Sequence, residues 1–510
     1  MELPTRVPSS WTWAHGLTII AVLLLTGCFY RLYLHPLAAI PGPALAAITR
    51  YYEAYYDIIR PGQYTFKIAE LHMKYGPIIR ISPHEIHVSD PNFFEKLYTR
   101  EGVWDKYAWS YDAFGAPLST ICTIDHNVHR QRRAALNPYF SKANVTNRQA
   151  IIYRNVTKLC DRLKEYAGST TRPLSLRALT SCYTQDVGTE YILGKSHNTL
   201  ETSNLDLETA YIAKGSGIWR ITKHIRWFGP AMKSLPISLH ERMASDGMKR
   251  HIGFIKDMIK TSSDIHTAYI DKTLDPDAPH NMVHSILNSG MSANQKTFQR
   301  VFEEVGTVTG ASFETTATTL RMILCHVYSD SAVLKRLRHE LYASRKSESS
   351  DLDLTELEQL PYLTAVLMEG LRLSPGVSSR AARVAPDRDL FYNKWRIPAG
   401  TPVGMTTLLM HKDPALYPDP DRFDPTRWDS VDKRRATAKG FAPFSRGTRN
   451  CLGMHLAWAE LYMTVAEVVQ QFDLEFGERA LDEITCKVDD FTIGVLPTSR
   501  LAVTVKKAKA

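Results

Sequence analysis

Along residues 294–327, apolar side chains recur at Phe298, Val301, Phe302, Val305, Val308, Ala311, Phe313, Leu320, Ile323, Leu324 and Val327. That three-to-four-residue spacing predicts one long helix with a broad buried stripe. Gly306 and Gly310 interrupt the stripe, and threonines crowd it between residues 307 and 319. Helical spacing also covers residues 362–373, closed by Pro375, and residues 452–472. Strand-like runs are short and lie near residues 79–86, 390–397 and 501–505, whereas the Pro- and Asp-rich stretch 411–428 reads as irregular. The pattern predicts a mainly α chain with small β-sheets at one side (an α+β class).

The N-terminus departs from this pattern. Residues 11–30, WTWAHGLTIIAVLLLTGCFY, carry no formal charge and are long enough to cross the ~30 Å hydrocarbon core. Trp11, Trp13 and Tyr30 lie near its ends, where amphipathic rings favour the interface. Arg31, Tyr33 and His35 follow in place of a small-residue cleavage site, which favours a retained anchor over residues 1–33 rather than a signal peptide. Arg6 and Arg31 flank the span and leave its orientation unset. Residues 34–43 contain Pro36, Pro41 and Pro43 and read as a stiff extended linker. From residue 44 to 510 no Gly/Ser tract, charge block or repeat marks another boundary, so the remainder reads as one large domain.

Composition narrows the function classes. With 44% hydrophobic and 23% charged residues, the chain is ordinary globular protein. A net charge of +9 over 510 residues is too dilute to indicate nucleic acid. Seven scattered cysteines without a C-x-x-C pair argue against a disulfide framework or a four-cysteine zinc site, and for a reducing compartment. His84-Glu85-Ile86-His87 is one residue short of a zinc-protease motif and sits in a strand-like run. Asn144 and Asn155 match the glycosylation pattern, but a cytosol-facing body would not meet the transferase.

The candidate chemistry gathers at Cys451, in the run Phe444-Ser445-Arg446-Gly447-Thr448-Arg449-Asn450-Cys451-Leu452-Gly453 just ahead of a predicted helix. Free N–H groups at a helix start stabilise a thiolate, and one thiolate can hold haem iron from one side. Gly447 and Gly453 would let backbone approach a flat cofactor, Arg449 could pair with a propionate, and Phe444 would shield the sulfur. A buried structural cysteine beside a turn would fit the same run.

The spacing F-x-x-G-x-R-x-C-x-G resembles the haem-binding signature of the cytochrome P-450 superfamily, with all fixed positions present. Three further matches follow the family's order, and the chain is similar to its membrane-anchored fungal members, the trichodiene oxygenase group among them. Glu369-Gly370-Leu371-Arg372 resembles the family's E-x-x-R, whose two side chains share a helix face and can ion-pair. Pro420-Asp421-Arg422-Phe423 resembles its P-E-R-F, which implies that Arg422 supplies a second arginine to that pair. Ala311-Ser312-Phe313-Glu314-Thr315-Thr316 resembles the segment that crosses the oxygen side of the haem. This implies that Thr315 and Glu314 relay protons for O–O scission, while Ser312, where the family usually has Gly, makes the local groove narrower or differently hydrated. Residues 126–140, HNVHRQRRAALNPYF, resemble the W-x-x-x-R region. Arg133 then aligns with its propionate-binding arginine, and His129 stands in the Trp place. Arg380 and Arg383 are candidates for the other propionate; Arg130 and Arg132 either face water or form, with Arg446, a basic face that receives an acidic electron donor. Tyr107, Trp109, Tyr111 and Phe114, with residues 491–496, fall where the family lines its pocket, and residues 216–243 blend aromatic and basic side chains suited to a second membrane contact or to a plain amphipathic helix pair.

The resemblance therefore implies a single P-450-type haem domain behind one transmembrane helix, held in the endoplasmic reticulum membrane and facing the cytosol. It implies haem b with Cys451 as its axial iron ligand, O2 as co-substrate, and NADPH acting through a separate reductase, since the sequence has no dinucleotide fingerprint. Cytochrome b5 is a second candidate donor. The expected reaction inserts one oxygen atom into a small apolar metabolite of a secondary pathway. A peroxide-rearranging haem-thiolate isomerase and a non-catalytic haem carrier are the alternatives; the Glu314–Thr315 pair speaks against the first.

Overall fold

The computed structural model describes residues 13–168, 173–215, 217–273, 280–344, 353–495 and 499–508, so the expected roles of Arg6 and Trp11 lie outside the described residues. Ten of its helices carry the argument: α1 (Trp13–Phe29), α2 (Tyr64–Tyr75), α3 (His126–Leu136), α4 (Gln149–Tyr166), α5 (Leu176–Leu193), α6 (Ile218–His224), α7 (Asp246–Ile270), α8 (Phe298–Ser329), α9 (Pro361–Leu373) and α10 (Met454–Gln471). α8 is the axis of the molecule. It starts at the Thr297 cap, later than the periodicity predicts, because residues 293–295 form a separate 3-10 turn. α5, α7, α9 and α10 pack around it, and α4 lies against α5 and α10. α5 is buried along nearly all its length, and its Gly188 admits α8: a Cβ there would meet the Ser312 hydroxyl at 2.2 Å. α9 begins on Pro361, and α10 ends where Phe472 passes into a strand.

The strands are β1 (Ile78–Arg80), β2 (Ile86–Val88), β3 (Asp105–Lys106), β4 (Leu174–Ser175), β5 (Arg383–Val384), β6 (Leu390–Tyr392), β7 (Trp395–Ile397), β8 (Pro402–Gly404), β9 (Phe472–Phe476), β10 (Val488–Asp490), β11 (Thr492–Gly494) and β12 (Ala502–Lys507). The predicted run 79–86 is thus two antiparallel strands with Ile78 opposite Val88; the Ser82-Pro83 turn divides it. One five-stranded sheet has the order β1-β2-β8-β5-β3 and a three-stranded one β4-β12-β9, with β6–β7 and β10–β11 as hairpins. In the larger sheet Lys106 stands opposite Arg383, a pairing between segments almost 280 residues apart.

Helix α1 runs on through a π-helical turn, Tyr30–Leu34, and residues 15–34 form an apolar helix long enough to cross a membrane, with its side chains facing outward. Residues 34–43, expected as a stiff extended linker, pack against the body. Leu37 and Ile40 are buried with Ile78, Ile86 and Phe94, and the Arg80 N–H donates to the Pro41 carbonyl at 2.7 Å. Burying two aliphatic side chains outweighs the stiffness that three prolines impart, so the segment is a strap on the body.

Candidate functional site

Cys451 lies in the loop that feeds α10, three residues before Met454. Its N–H donates to the Phe444 carbonyl at 2.9 Å, which closes the loop, and Phe444 packs toward Trp458 with ring centroids 6.1 Å apart. Cys451 is the only exposed cysteine among the described residues. Desolvation pushes its thiol upward, against Arg133 and the Gly453 N–H, which favour the thiolate. Gly453 faces open space, whereas Gly447 does not. With φ +74°, a Cβ at Gly447 would strike the Thr99 and Tyr98 carbonyl oxygens at 2.5 and 2.7 Å, so this glycine admits a neighbouring loop of the protein.

Cationic groups converge on one side of this loop. Arg449 is buried and donates to the carbonyls of Thr123 (2.8 Å), Ile124 (2.7 Å) and Trp104 (3.2 Å), while its Nε has no partner. Lys106 is buried, bonded to the Ile121 carbonyl and 4.0 Å from the Tyr111 ring centroid. Burial and the charges of Arg449 and Arg383 hold its ammonium far below the usual lysine range. His129 is pushed down to about 2 by burial and by Arg449, Lys106, Arg133 and Arg383, so its ring is neutral. Lys106, Arg133, Arg383 and Arg449 make no ion pair with a carboxylate among the described residues. Arg133 turns toward the cysteine loop, donating to the carbonyls of Asn450 (2.8 Å) and Cys451 (3.1 Å). Arg380 is committed elsewhere, in buried pairs with Glu85 (2.6 Å) and Glu53 (2.8 Å), which removes it from the propionate candidates.

On α8, Gly310 and Ala311 are exposed inside an otherwise packed helix, and a Cβ at Gly310 would meet nothing. Thr315 Oγ1 donates to the Ala311 carbonyl at 2.8 Å. Glu314 accepts from Arg321 at 2.8 Å and from the Ser181 hydroxyl, and these partners keep its carboxyl low despite burial. The expected narrowing at Ser312 does not occur. Its hydroxyl bonds the Thr309 carbonyl and points at Gly188 on α5, away from the open face.

Behind the cysteine loop, Glu369 and Arg372 form a fully buried bidentate pair at 2.7 and 2.9 Å. Arg372 also donates to the carbonyls of His411, Pro420 and Arg422. The expected second arginine, Arg422, supplies only that carbonyl and its side chain is exposed; Arg427 (3.3 Å) and the Trp428 indole (2.9 Å) reach Glu369 instead. Phe423, buried and stacked on His326, fixes the turn so that Arg422 points outward. His411 links this pair to the cysteine loop: Nδ1–H donates to the Arg372 carbonyl at 2.9 Å, and Nε2 accepts from the Ala442 N–H at 3.0 Å. In the expected basic face, Arg132 is buried on Gln295 (2.8 Å) and Thr123 (2.7 Å), and Arg446 pairs with Glu95. Arg130 alone of the three stays free to face water. The His84–His87 run holds no metal arrangement: His87 bonds His72 and Thr406, and Glu85 belongs to Arg380.

The cytochrome P450 family profile matches residues 56–502. The chain belongs to the cytochrome P450 family. It is 37% identical over 494 residues to the cytochrome P450 monooxygenase MO6277 of Ascocoryne sarcoides, covering 93% of this chain and 96% of that one. It is 35% identical over 483 residues to the monooxygenase TRI4 of Fusarium sporotrichioides, covering 92% and 91%. A crystal structure of the cytochrome P450DA heme domain superposes with a TM-score of 0.72 at 16% identity, over 92% of this chain and 98% of that one, which shows the P450 fold. The protein is a P450 monooxygenase, an oxidoreductase, and the family implies haem iron and O2. The residues present fit that haem: an accessible thiol, glycine-sized openings at Gly310 and Gly453, and a buried cationic cluster short of an anion. Sequence reasoning missed Lys106, Arg427 and His411. No local signal marks Lys106, which becomes visible only when β3 pairs with β5.

Proposed function

We propose that the protein is a haem-thiolate monooxygenase of a secondary-metabolite pathway, inserting one atom of O2 into a small apolar metabolite. Residues 44–510 form the haem domain. Residues 1–33 anchor it by one pass in the endoplasmic reticulum membrane, with the domain on the cytosolic side. Electrons come from NADPH through cytochrome P-450 reductase, with cytochrome b5 as an auxiliary donor. Haem b, bound through Cys451, supplies oxygen activation, and the thiolate raises electron density at iron.

The chain's own residues bind, orient and keep water out. Lys106, Arg449, Arg383 and His129 offer donors to the propionates, and anionic oxygens would lift the electrostatic penalty that these groups now carry. Arg133 holds the cysteine loop through its carbonyls, and Phe444 covers the sulfur side. Thr315 presents an acceptor toward the open face of α8, and Glu314 holds the neighbouring end of a polar chain through Ser181 and Arg321. The observation that carries this reading is the exposed Cys451 thiol beside buried cations that lack a counter-ion.

The test uses the metabolite that accumulates in a deletion strain. Incubated with NADPH, reductase and 18O2, the enzyme should place one labelled atom in the product. Turnover of a hydroperoxide without NADPH, and no label, would establish the isomerase instead.

A further inference from the structure

At the foot of α1 the body gathers arginines. The Arg31 guanidinium bonds the Ile48 carbonyl, and the Arg80 guanidinium donates to the Arg31 carbonyl at 2.8 Å. These contacts hold residues 48–50 against the end of the apolar helix, the level at which lipid headgroups meet a spanning segment. Arg50 stacks on Trp109, its guanidinium carbon 4.0 Å from the ring centroid, and donates to the Tyr107 hydroxyl. Arg226, just past α6, lies 4.5 Å from the same ring and donates to the Trp109 carbonyl at 2.8 Å. Tyr51 and Trp227, next in the chain to these two arginines, are 82% and 70% exposed.

Charge and hydrogen bonding are unbalanced around that ring. Nη1 of Arg50 and Nε1 of Trp109 are buried donors without a partner. Arg50 pairs with no carboxylate among the described residues, and Arg226 meets Asp112 only at 4.0 Å. Glu53 and Glu85, whose charges reach the neighbouring Tyr107, are taken by Lys223 and Arg380. Burial lowers the Arg226 guanidinium below the usual arginine range; Asp112 opposes this, and the Arg50 charge adds to it. His84 is lowered in the same way, by burial and then by Arg50, Arg31 and Arg80. Two guanidiniums on one ring repel each other, and each unpaired buried donor keeps its desolvation cost. An oxyanion relieves both: the guanidiniums fit its paired oxygens, and the indole N–H supplies one more bond. Position selects the anion. Exposed Tyr51 and Trp227 suit the membrane interface, where the anionic groups are lipid phosphates. A choline headgroup would bring its own cation against Arg50 and Arg226, so a headgroup of net negative charge is favoured.

We propose that Arg50, Arg226 and the Trp109 indole form a binding site for the phosphate of one anionic phospholipid. The proposal rests on the reading of residues 1–33 as a membrane anchor. Native mass spectrometry of the full-length holoenzyme in a neutral detergent, titrated with phosphatidic acid or phosphatidylcholine, tests it. One phosphatidic acid should bind per chain, about tenfold or more tighter than phosphatidylcholine. Arg50→Gln and Arg226→Gln should each weaken that binding by about ten- to a hundredfold, the loss of a charge-assisted hydrogen bond. Trp109→Phe keeps the ring, removes the N–H and should cost about tenfold; it decides the matter where an arginine variant loses its haem spectrum. Arg396→Gln, on an exposed side chain of the β6–β7 hairpin, should change nothing. Equal binding of the two lipids, or unchanged affinity in the variants that keep their haem spectrum, would overturn the site. Glycerol 3-phosphate bound as tightly as the lipid would overturn the lipid assignment. Failure of the anchor reading would show separately, as a full-length wild-type protein that does not sediment with vesicles of phosphatidylcholine alone.

Discussion

The Thr315 hydroxyl gives its one proton to the Ala311 carbonyl, so toward the open face of α8 it can only accept until that bond exchanges. Thr315→Ala should leave haem content intact, lower product formed per NADPH and release hydrogen peroxide. The loss is bounded by the ~10²–10⁴-fold typical of general acid–base contributions. Tight coupling retained on the true substrate would remove Thr315 from the proton path. At Glu369 the carboxylate is fully buried and shared among Arg372, Arg427 and Trp428. Arg427→Met should therefore lower stability by ~1–3 kcal/mol, since it strips a donor from a buried charge. Arg422→Ala, on an exposed side chain, should stay within ~0.5 kcal/mol. Thermal melts of the two variants decide the assignment, and the reverse order would restore Arg422 as the second arginine.

Among elements, those with strong periodicity were legible in the sequence and those made by long-range pairing were not. α8, α9 and α10 follow their apolar stripes to within four residues, because each buries one face on the same core. The cysteine loop and E-x-x-R were legible as motifs, since their spacing is local. Lys106 opposite Arg383, and Arg427 in place of Arg422, depend on tertiary placement that no spacing encodes. The strap was misread because three prolines suggest a spacer, while the fate of Leu37 and Ile40 depends on a groove built by β1, β2 and residues 93–98. α1 makes a testable case at this scale. The Arg31 guanidinium bonds the Ile48 carbonyl, and the Arg31 carbonyl accepts from Arg80 at 2.8 Å, so truncation after Phe29 spares both contacts. That variant should keep its melting temperature and still sediment in part with membranes. A second contact is expected through Trp227 and Met243, which are 70% and 79% exposed on the short helices after α6. Adding Trp227→Glu and Met243→Glu should release it, and complete release by truncation alone would refute that contact.

At the scale of the whole molecule, buried neutral histidines tie stability to pH. Burial lowers His411 to about 3 and His326 to about 4, against ~6.5 in an unfolded chain. Below pH ~6.5 the unfolded chain takes up protons that the folded one refuses, so stability falls from there toward pH 3–4; above pH 7 these groups contribute no slope. The melting temperature should decline steadily from pH 7 to 5, and a flat profile would contradict the neutral His411 bridge. That bridge, the Glu369–Arg372 pair and the Arg133 contacts all converge on one loop, and the account as a whole depends on what that loop presents. The most direct measurement is the absorption spectrum of the reduced carbon monoxide complex. The wild-type protein should show the red-shifted band of a thiolate-ligated haem, and Cys451→Ala should lack it. A wild-type protein without the band, or a variant that keeps it, would contradict Cys451 as the iron ligand.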